Sequence, residues 1–120
     1  MSRILLVDDD ESLCLLYKTE FESEGYEIVV ANDGNEAVEL IEKEDFDLVI
    51  LDIRMPGMDG ISALEKIAVK TRDISVLINS AYSNYKDNFL TWLAEDYIIK
   101  SPDLSELKTK VKDILAKKVK

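Results

Sequence analysis

Ile4-Leu5-Leu6-Val7 is a continuous apolar run that stops at once on Asp8-Asp9-Asp10. The same pattern recurs along the chain. Ile28-Val29-Val30-Ala31 runs into Asn32-Asp33-Gly34, and Leu48-Val49-Ile50-Leu51 ends on Asp52. Val76-Leu77-Ile78 leads to Asn79-Ser80, and Tyr97-Ile98-Ile99 leads to Lys100. Short β-branched runs without polar alternation are what strands covered on both faces require.

Between these runs the apolar residues fall at helical spacing. Residues 11–24 carry Leu13, Leu16, Tyr17 and Phe21; residues 35–44 carry Ala37, Val38, Leu40 and Ile41. Residues 61–70 place Ile61, Leu64, Ile67 and Ala68 on one face, and a further helix is expected over about 84–94. Residues 103–118 repeat Leu104, Leu107, Val111, Ile114 and Leu115, opened by Ser101-Pro102-Asp103 with Glu106 in capping-box position. Asp10 is placed to cap the first helix and Gly25 to end it in a left-handed conformation. Strand and helix alternate five times, a (βα)5 order. The expected fold is α/β, an open, doubly wound parallel sheet with helices on both faces, in one domain spanning 1–120.

Composition narrows the chemistry. A chain of 120 residues, 47% apolar and 33% charged, fits one globular domain. It has no stretch long enough to span a membrane and no charged start followed by an apolar run of the kind a signal peptide carries. There is no histidine, which removes Ser-His-Asp triads, zincin motifs and Cys2His2 zinc sites. Cys14 is the only cysteine, so no disulfide forms within the chain and a reducing cytoplasm is expected. It belongs in the core or at its edge, and Met55 and Met58 are read as packing residues. Fifteen basic and 25 acidic residues leave a net charge of −10, the wrong sign for general nucleic-acid binding. Six of the basic residues lie in 101–120 beside only three acidic ones, a pattern most simply read as a solvated helix face.

Asp8, Asp9, Asp52, Ser80 and Lys100 all follow apolar runs, and in open α/β sheets ligands bind outside the carboxyl ends of the strands. Any one of them alone reads as a cap or turn residue. Together they aim three carboxylates, a hydroxyl and an ammonium at one place. Each carboxylate pair at 4 Å costs up to about 4 kcal/mol at an effective dielectric near 20. Lys100 offsets part of this, and a hard divalent cation with oxygen ligands offsets the rest, Mg2+ suiting a shallow site. A carboxylate beside Mg2+, faced by an ammonium and a hydroxyl, is arranged to accept a phosphoryl group.

At these positions the sequence resembles the CheY-like receiver domains of two-component response regulators. The residues concerned are Val7-Asp8-Asp9-Asp10-Glu11, Ala31-Asn32-Asp33-Gly34, Leu51-Asp52-Ile53-Arg54-Met55-Pro56-Gly57-Met58-Asp59-Gly60, Ser80-Ala81 and Asp96-Tyr97-Ile98-Ile99-Lys100. The resemblance implies a flavodoxin-like sheet with strand order 2-1-3-4-5. It implies Asp52 as phosphoacceptor and Mg2+, with Mn2+ as a substitute, held by Asp8, Asp9, Asp52 and the backbone carbonyl of Arg54. Ser80 would bond the phosphoryl oxygen, Lys100 would pair with it, and Tyr97 would be the switch aromatic. Arg54 and Tyr82 would tune dephosphorylation by shielding the acyl phosphate. The implied partners are a histidine kinase or histidine phosphotransfer protein, and a listener at the face of the fourth helix, fifth strand and fifth helix. An output domain joined to the chain and a phosphorylation-dependent homodimer are open alternatives, with output by protein contact preferred for the chain as it stands. Such a protein is a switch that catalyses only its own phosphorylation and slow autodephosphorylation.

Three positions depart from the family pattern. Ser101 stands where proline usually follows the lysine, leaving open whether Lys100–Ser101 is cis or trans. Leu93, beside Trp92, replaces a common glycine, and Asn79 replaces an apolar strand residue, so a buried Asn79 needs partners. Rival functions fit less well. A haloacid-dehalogenase-type phosphohydrolase needs a second Asp where Arg54 stands, and a flavin carrier needs a phosphate loop where Asp8-Asp9-Asp10 lies. The flavin carrier would share the fold, and so would a third alternative, a receiver-like scaffold that folds but is never phosphorylated.

Overall fold

The computed structural model describes residues 2–52, 65–67, 74–81, 94 and 96–118. The elements are β1 (Arg3–Val7), α1 (Glu11–Ser23), β2 (Glu27–Ala31), α2 (Gly34–Lys43), β3 (Leu48–Leu51), β4 (Ser75–Ser80), β5 (Asp96–Ile99) and α3 (Ser105–Lys118). Residues 65–67 are helical and belong to the segment expected over 61–70. The helix expected near 84–94 lies outside the described residues but for its last position, as do Met55, Met58, Trp92 and Leu93.

All five strands pair in parallel, in the order β2-β1-β3-β4-β5. Because successive strand residues point to opposite faces, the apolar runs split into two cores. Leu5, Val7, Val49, Leu51, Val76 and Ile78 pack on one face with Ala37 and Ile41 of α2 and with Ile67. Ile4, Leu6, Leu48, Ile50, Leu77 and Ile98 pack on the other with α1 and α3. Continuous apolar runs are thus used on both sides, as a sheet covered twice requires.

Helix ends follow local chemistry. The Asp10 carboxylate accepts from Leu13 N at 3.1 Å, and Gly25 closes the α1 turn at φ +94°. Asp33 caps α2 by accepting from Glu36 N at 2.8 Å, while the Glu36 carboxylate accepts from Asn32 N at 2.7 Å. At α3 the expected capping box does not form. Asp103 Oδ1 accepts from Ser105 N at 2.9 Å and Asp103 N donates to Ser101 Oγ at 3.2 Å, so an Asx turn delays the helix to Ser105.

The α1 stripe is also corrected. Cys14, Tyr17 and Phe21 are buried, a spacing of three then four that faces the sheet, whereas Leu15 and Leu16 are 67% and 49% exposed. Leu13 is only half-buried, so the core stripe runs one residue out of step with the leucines. Among the described residues no helix is long and apolar enough to cross a membrane, and no peptide bond is cis, which makes Lys100–Ser101 trans.

Candidate functional site

Backbone pairing continues past the strand ends and collects the polar residues. Asp8 N donates to Ala31 O at 3.1 Å and Asp52 N to Val7 O at 2.9 Å, which sets Asp8 and Asp52 side by side above β1 and β3. On the other flank Lys100 N donates to Ser80 O at 2.7 Å. Ser80 is the last residue of β4 rather than a residue beyond it, and it is fully buried.

The Lys100 ammonium reaches across the site. Its Nζ lies 2.7 Å from Asp8 Oδ2 and 2.9 Å from Asp52 Oδ2. Burial pushes this ammonium down, but the hydrogen bonds to Asp8 and Asp52 outweigh it and hold Lys100 above the ordinary lysine range. Asp8 and Asp52 are buried while Asp9 is exposed, and the three carboxylates each bring an oxygen within 4.8 Å of the others. Three hard anionic donors converging on one point, one of them open to solvent, fit Mg2+ with its preference for carboxylates and retained waters.

The supports around Asp8 have no signature in the local sequence. Asp10 N donates to Asp8 Oδ1 at 2.9 Å, Asn32 Nδ2 to Asp8 O at 3.3 Å, and Cys14 Sγ to the same carbonyl at 3.4 Å. The Asn32-Asp33-Gly34 turn was legible as a turn, yet nothing in its spacing says that Asn32 reaches back across the sheet. Tyr97 sits half-buried in β5, packed against the α2-side core. Arg54 and Tyr82 lie outside the described residues.

Residues 4–112 match the family model described as the response regulator receiver domain. The chain belongs to that family. Its receiver sequence is 39% identical over 115 residues to the transcriptional regulatory protein ZraR of Escherichia coli strain K12, covering 94% of this chain and 26% of that one. It is 34% identical over 115 residues to PhoP of Bacillus subtilis strain 168, the alkaline phosphatase synthesis transcriptional regulatory protein, covering 94% and 48%. The receiver therefore spans about a quarter to a half of these curated relatives. Among solved structures, the response regulator TrrA of Thermotoga maritima, crystallised with Mg2+-BeF, superposes with a TM-score of 0.92 at 42% identity, covering 95% of this chain and 99% of that one. TrrA in complex with the histidine kinase ThkA superposes at 0.90 with 43% identity, covering 96% and 99%. The receiver fold and its 2-1-3-4-5 sheet are those expected from the sequence.

Proposed function

We propose that the chain is a phosphorylation-activated switch, residues 1–120 forming one receiver domain in which Asp52 accepts a phosphoryl group from a phosphohistidine of a sensor kinase or phosphotransfer protein. The observation that carries this reading is the Lys100 ammonium held between the buried carboxylates of Asp8 and Asp52, with Asp9 at the rim. Asp9 leaves the cluster open to solvent on one side, where a cation and a phosphoryl donor can reach it.

In this reading Asp8, Asp9 and Asp52, with the backbone carbonyl of Arg54, hold Mg2+ or Mn2+. When bound, the ion supplies positive charge to phosphoryl oxygens during transfer. An oxygen of Asp52 attacks phosphorus in line; the P–O bond forms as the P–N bond to the donor imidazole breaks, and the electron pair leaves with the ring. Lys100 moves from the carboxylates to a phosphoryl oxygen, and the Ser80 hydroxyl donates to another. Tyr97 then repacks, shifting the population toward an arrangement of the β5 face that a partner reads. Arg54 and Tyr82 shield the acyl phosphate and slow its hydrolysis. The protein acts in the cytoplasm, as a switch and not as an enzyme turning over a separate substrate; its listener is a protein partner or a joined output domain. TrrA, bound by ThkA in a solved complex and crystallised with Mg2+-BeF, supports the donor class and the ion by similarity.

Intact mass after incubation with acetyl phosphate and Mg2+ tests this reading. One phosphoryl group is expected on the parent, none on Asp52→Asn, and none when EDTA is present. No gain on the parent, even with a phosphorylated kinase as donor, would leave the scaffold reading in its place.

A further inference from the structure

Asn79 is polar at a position where β4 needs only an apolar residue. It is buried on the α1 side of the sheet, and its Nδ2 donates to the Tyr17 hydroxyl at 2.9 Å. An apolar pair of the same shape would be about as stable as this hydrogen-bonded one, so packing alone gives no reason for it. Its position gives one. Tyr17 lies one turn beyond Cys14 on the buried face of α1, and Cys14 holds the backbone carbonyl of Asp8. The α1 cap, Asp10, donates its backbone N–H to the Asp8 carboxylate. The helix that orients the acidic half of the site is therefore the helix that Asn79 grips.

Asn79 in turn precedes Ser80, whose carbonyl accepts from Lys100 N. Ser101, the residue standing in place of the usual proline, lines the same small niche as Tyr17 and Asn79, a space of about 10 Å3 walled also by Asp103 and Glu106. That volume holds about one water. Two of the positions that depart from the family pattern thus meet behind the site, on the path between its two halves.

We propose that the Asn79–Tyr17 hydrogen bond is a cross-brace that fixes the hydroxyl and ammonium half of the site, Ser80 and Lys100, relative to the carboxylate half carried by α1. Asn79 and Tyr17 are positioning residues: neither touches the phosphoryl group, and both act through their neighbours. The inference rests on Asp52 being the acceptor. Without the brace the carboxylates still gather a cation, because their own supports are intact. The hydroxyl and ammonium sit less well for transfer, and phosphorylation slows.

The test compares the parent, Tyr17→Phe, and the double variant Tyr17→Phe with Asn79→Val, which removes both polar groups and leaves neither unpartnered. Mg2+ affinity, the rate of phosphorylation by acetyl phosphate at saturating Mg2+, and the urea unfolding midpoint are read for each. Both variants are expected to bind Mg2+ within about twofold of the parent while phosphorylating about fivefold more slowly. The double variant recovers parental stability without recovering the rate. A rate that returns with stability, that never falls, or that falls only in step with Mg2+ affinity overturns the proposal. If the double variant does not fold, Tyr17→Phe alone decides on the same split of rate against affinity, since it removes the hydroxyl and keeps the ring that packs in the core. A parent that takes up no phosphoryl group overturns the acceptor assignment itself, an outcome read before any variant is compared.

Discussion

Lys100 Nζ lies 2.9 Å from Asp52 Oδ2, so the proposed acceptor carboxylate is paired with the proposed phosphoryl cation before any substrate arrives. The same ammonium holds Asp8 at 2.7 Å. Removing one partner of a buried ion pair costs about 3–5 kcal/mol, because the charges left behind are uncompensated. Lys100 is partly open to solvent, which places Lys100→Met near the lower end, about 3 kcal/mol at neutral pH in EDTA. In the proposed reading Mg2+ would take over the neutralising role, so it should restore more stability to the variant than it adds to the parent. Urea unfolding with and without Mg2+ checks this. Equal stability of parent and variant in EDTA would show that the pair is not what balances the carboxylates.

Asp9 has the opposite balance. It is the exposed member of the trio and adds repulsion without receiving the Lys100 contacts recorded for Asp8 and Asp52. Asp9→Asn should raise the melting temperature in EDTA by about 3 °C, the scale of a relieved surface repulsion. It should also weaken Mg2+ binding by about tenfold or more, as loss of a hard anionic ligand implies. Calorimetric titration with Mg2+ and a thermal melt read the two effects on one sample. A variant that loses stability in EDTA would mean that Asp9 has a structural role.

Much of the fold is legible in the sequence alone. Each strand announced itself because a sheet covered on both faces has no solvent side to encode as alternation, so Ile4–Val7 and Leu48–Leu51 read as unbroken apolar runs. Asp8, Asp52 and Lys100 were legible because a charge directly after such a run has to sit at a strand end. Leucine at helical spacing is ambiguous over four turns, so the sequence places Leu16 in the core, whereas the stripe that packs is Cys14, Tyr17 and Phe21. The start of α3 was set by Asp103 accepting from Ser105, a competition between Asx turn and capping box that spacing alone does not decide. The contacts of Asn32 with Asp8 and of Asn79 with Tyr17 join residues far apart in sequence, and no local pattern records them.

Cys14 makes a pH prediction. Its thiol is buried against the Asp8 loop, and that burial, reinforced by the negative charges of Asp8 and Asp10, pushes its ionisation up to about 11 from an ordinary value of 9.0. The folded state therefore holds this proton more tightly than the unfolded chain does. The resulting stability is fully present below about pH 9 and is lost as the pH rises through about 11. Lysines and tyrosines titrate in the same range, so the difference between parent and Cys14→Ala isolates the thiol: the parent's advantage in unfolding free energy should shrink from pH 8 to pH 11. The thiol should also resist iodoacetamide at pH 8 in the native protein and react once urea unfolds it. Rapid native labelling would place Cys14 outside the core.

Arg3 separates stability from function because it sits at the other end of β1 from the site, roughly 16 Å from Asp8 at strand rise. Its guanidinium donates to Glu27 at 2.7 Å, to the Asp45 carbonyl at 3.1 Å and to Glu44, and lies 4.9 Å from the Phe46 ring centre. Its backbone N–H donates to Asp47 at 2.8 Å. One side chain thus ties β1 to β2 and to the turn before β3, where acidic residues would otherwise crowd. Arg3→Met keeps the apolar stem over Phe46 but leaves Glu27 and Glu44 without their cation. The unfolding midpoint should fall, and by less in 0.5 M NaCl, since about 10 Å of screening at 0.1 M shrinks further as salt rises. The rate of phosphorylation by acetyl phosphate should match the parent's, because the strand ends that carry Asp8 and Asp52 are held by β-sheet pairing that Arg3 does not make. A slowed rate in Arg3→Met would show that strain at the foot of β1 reaches the acceptor site.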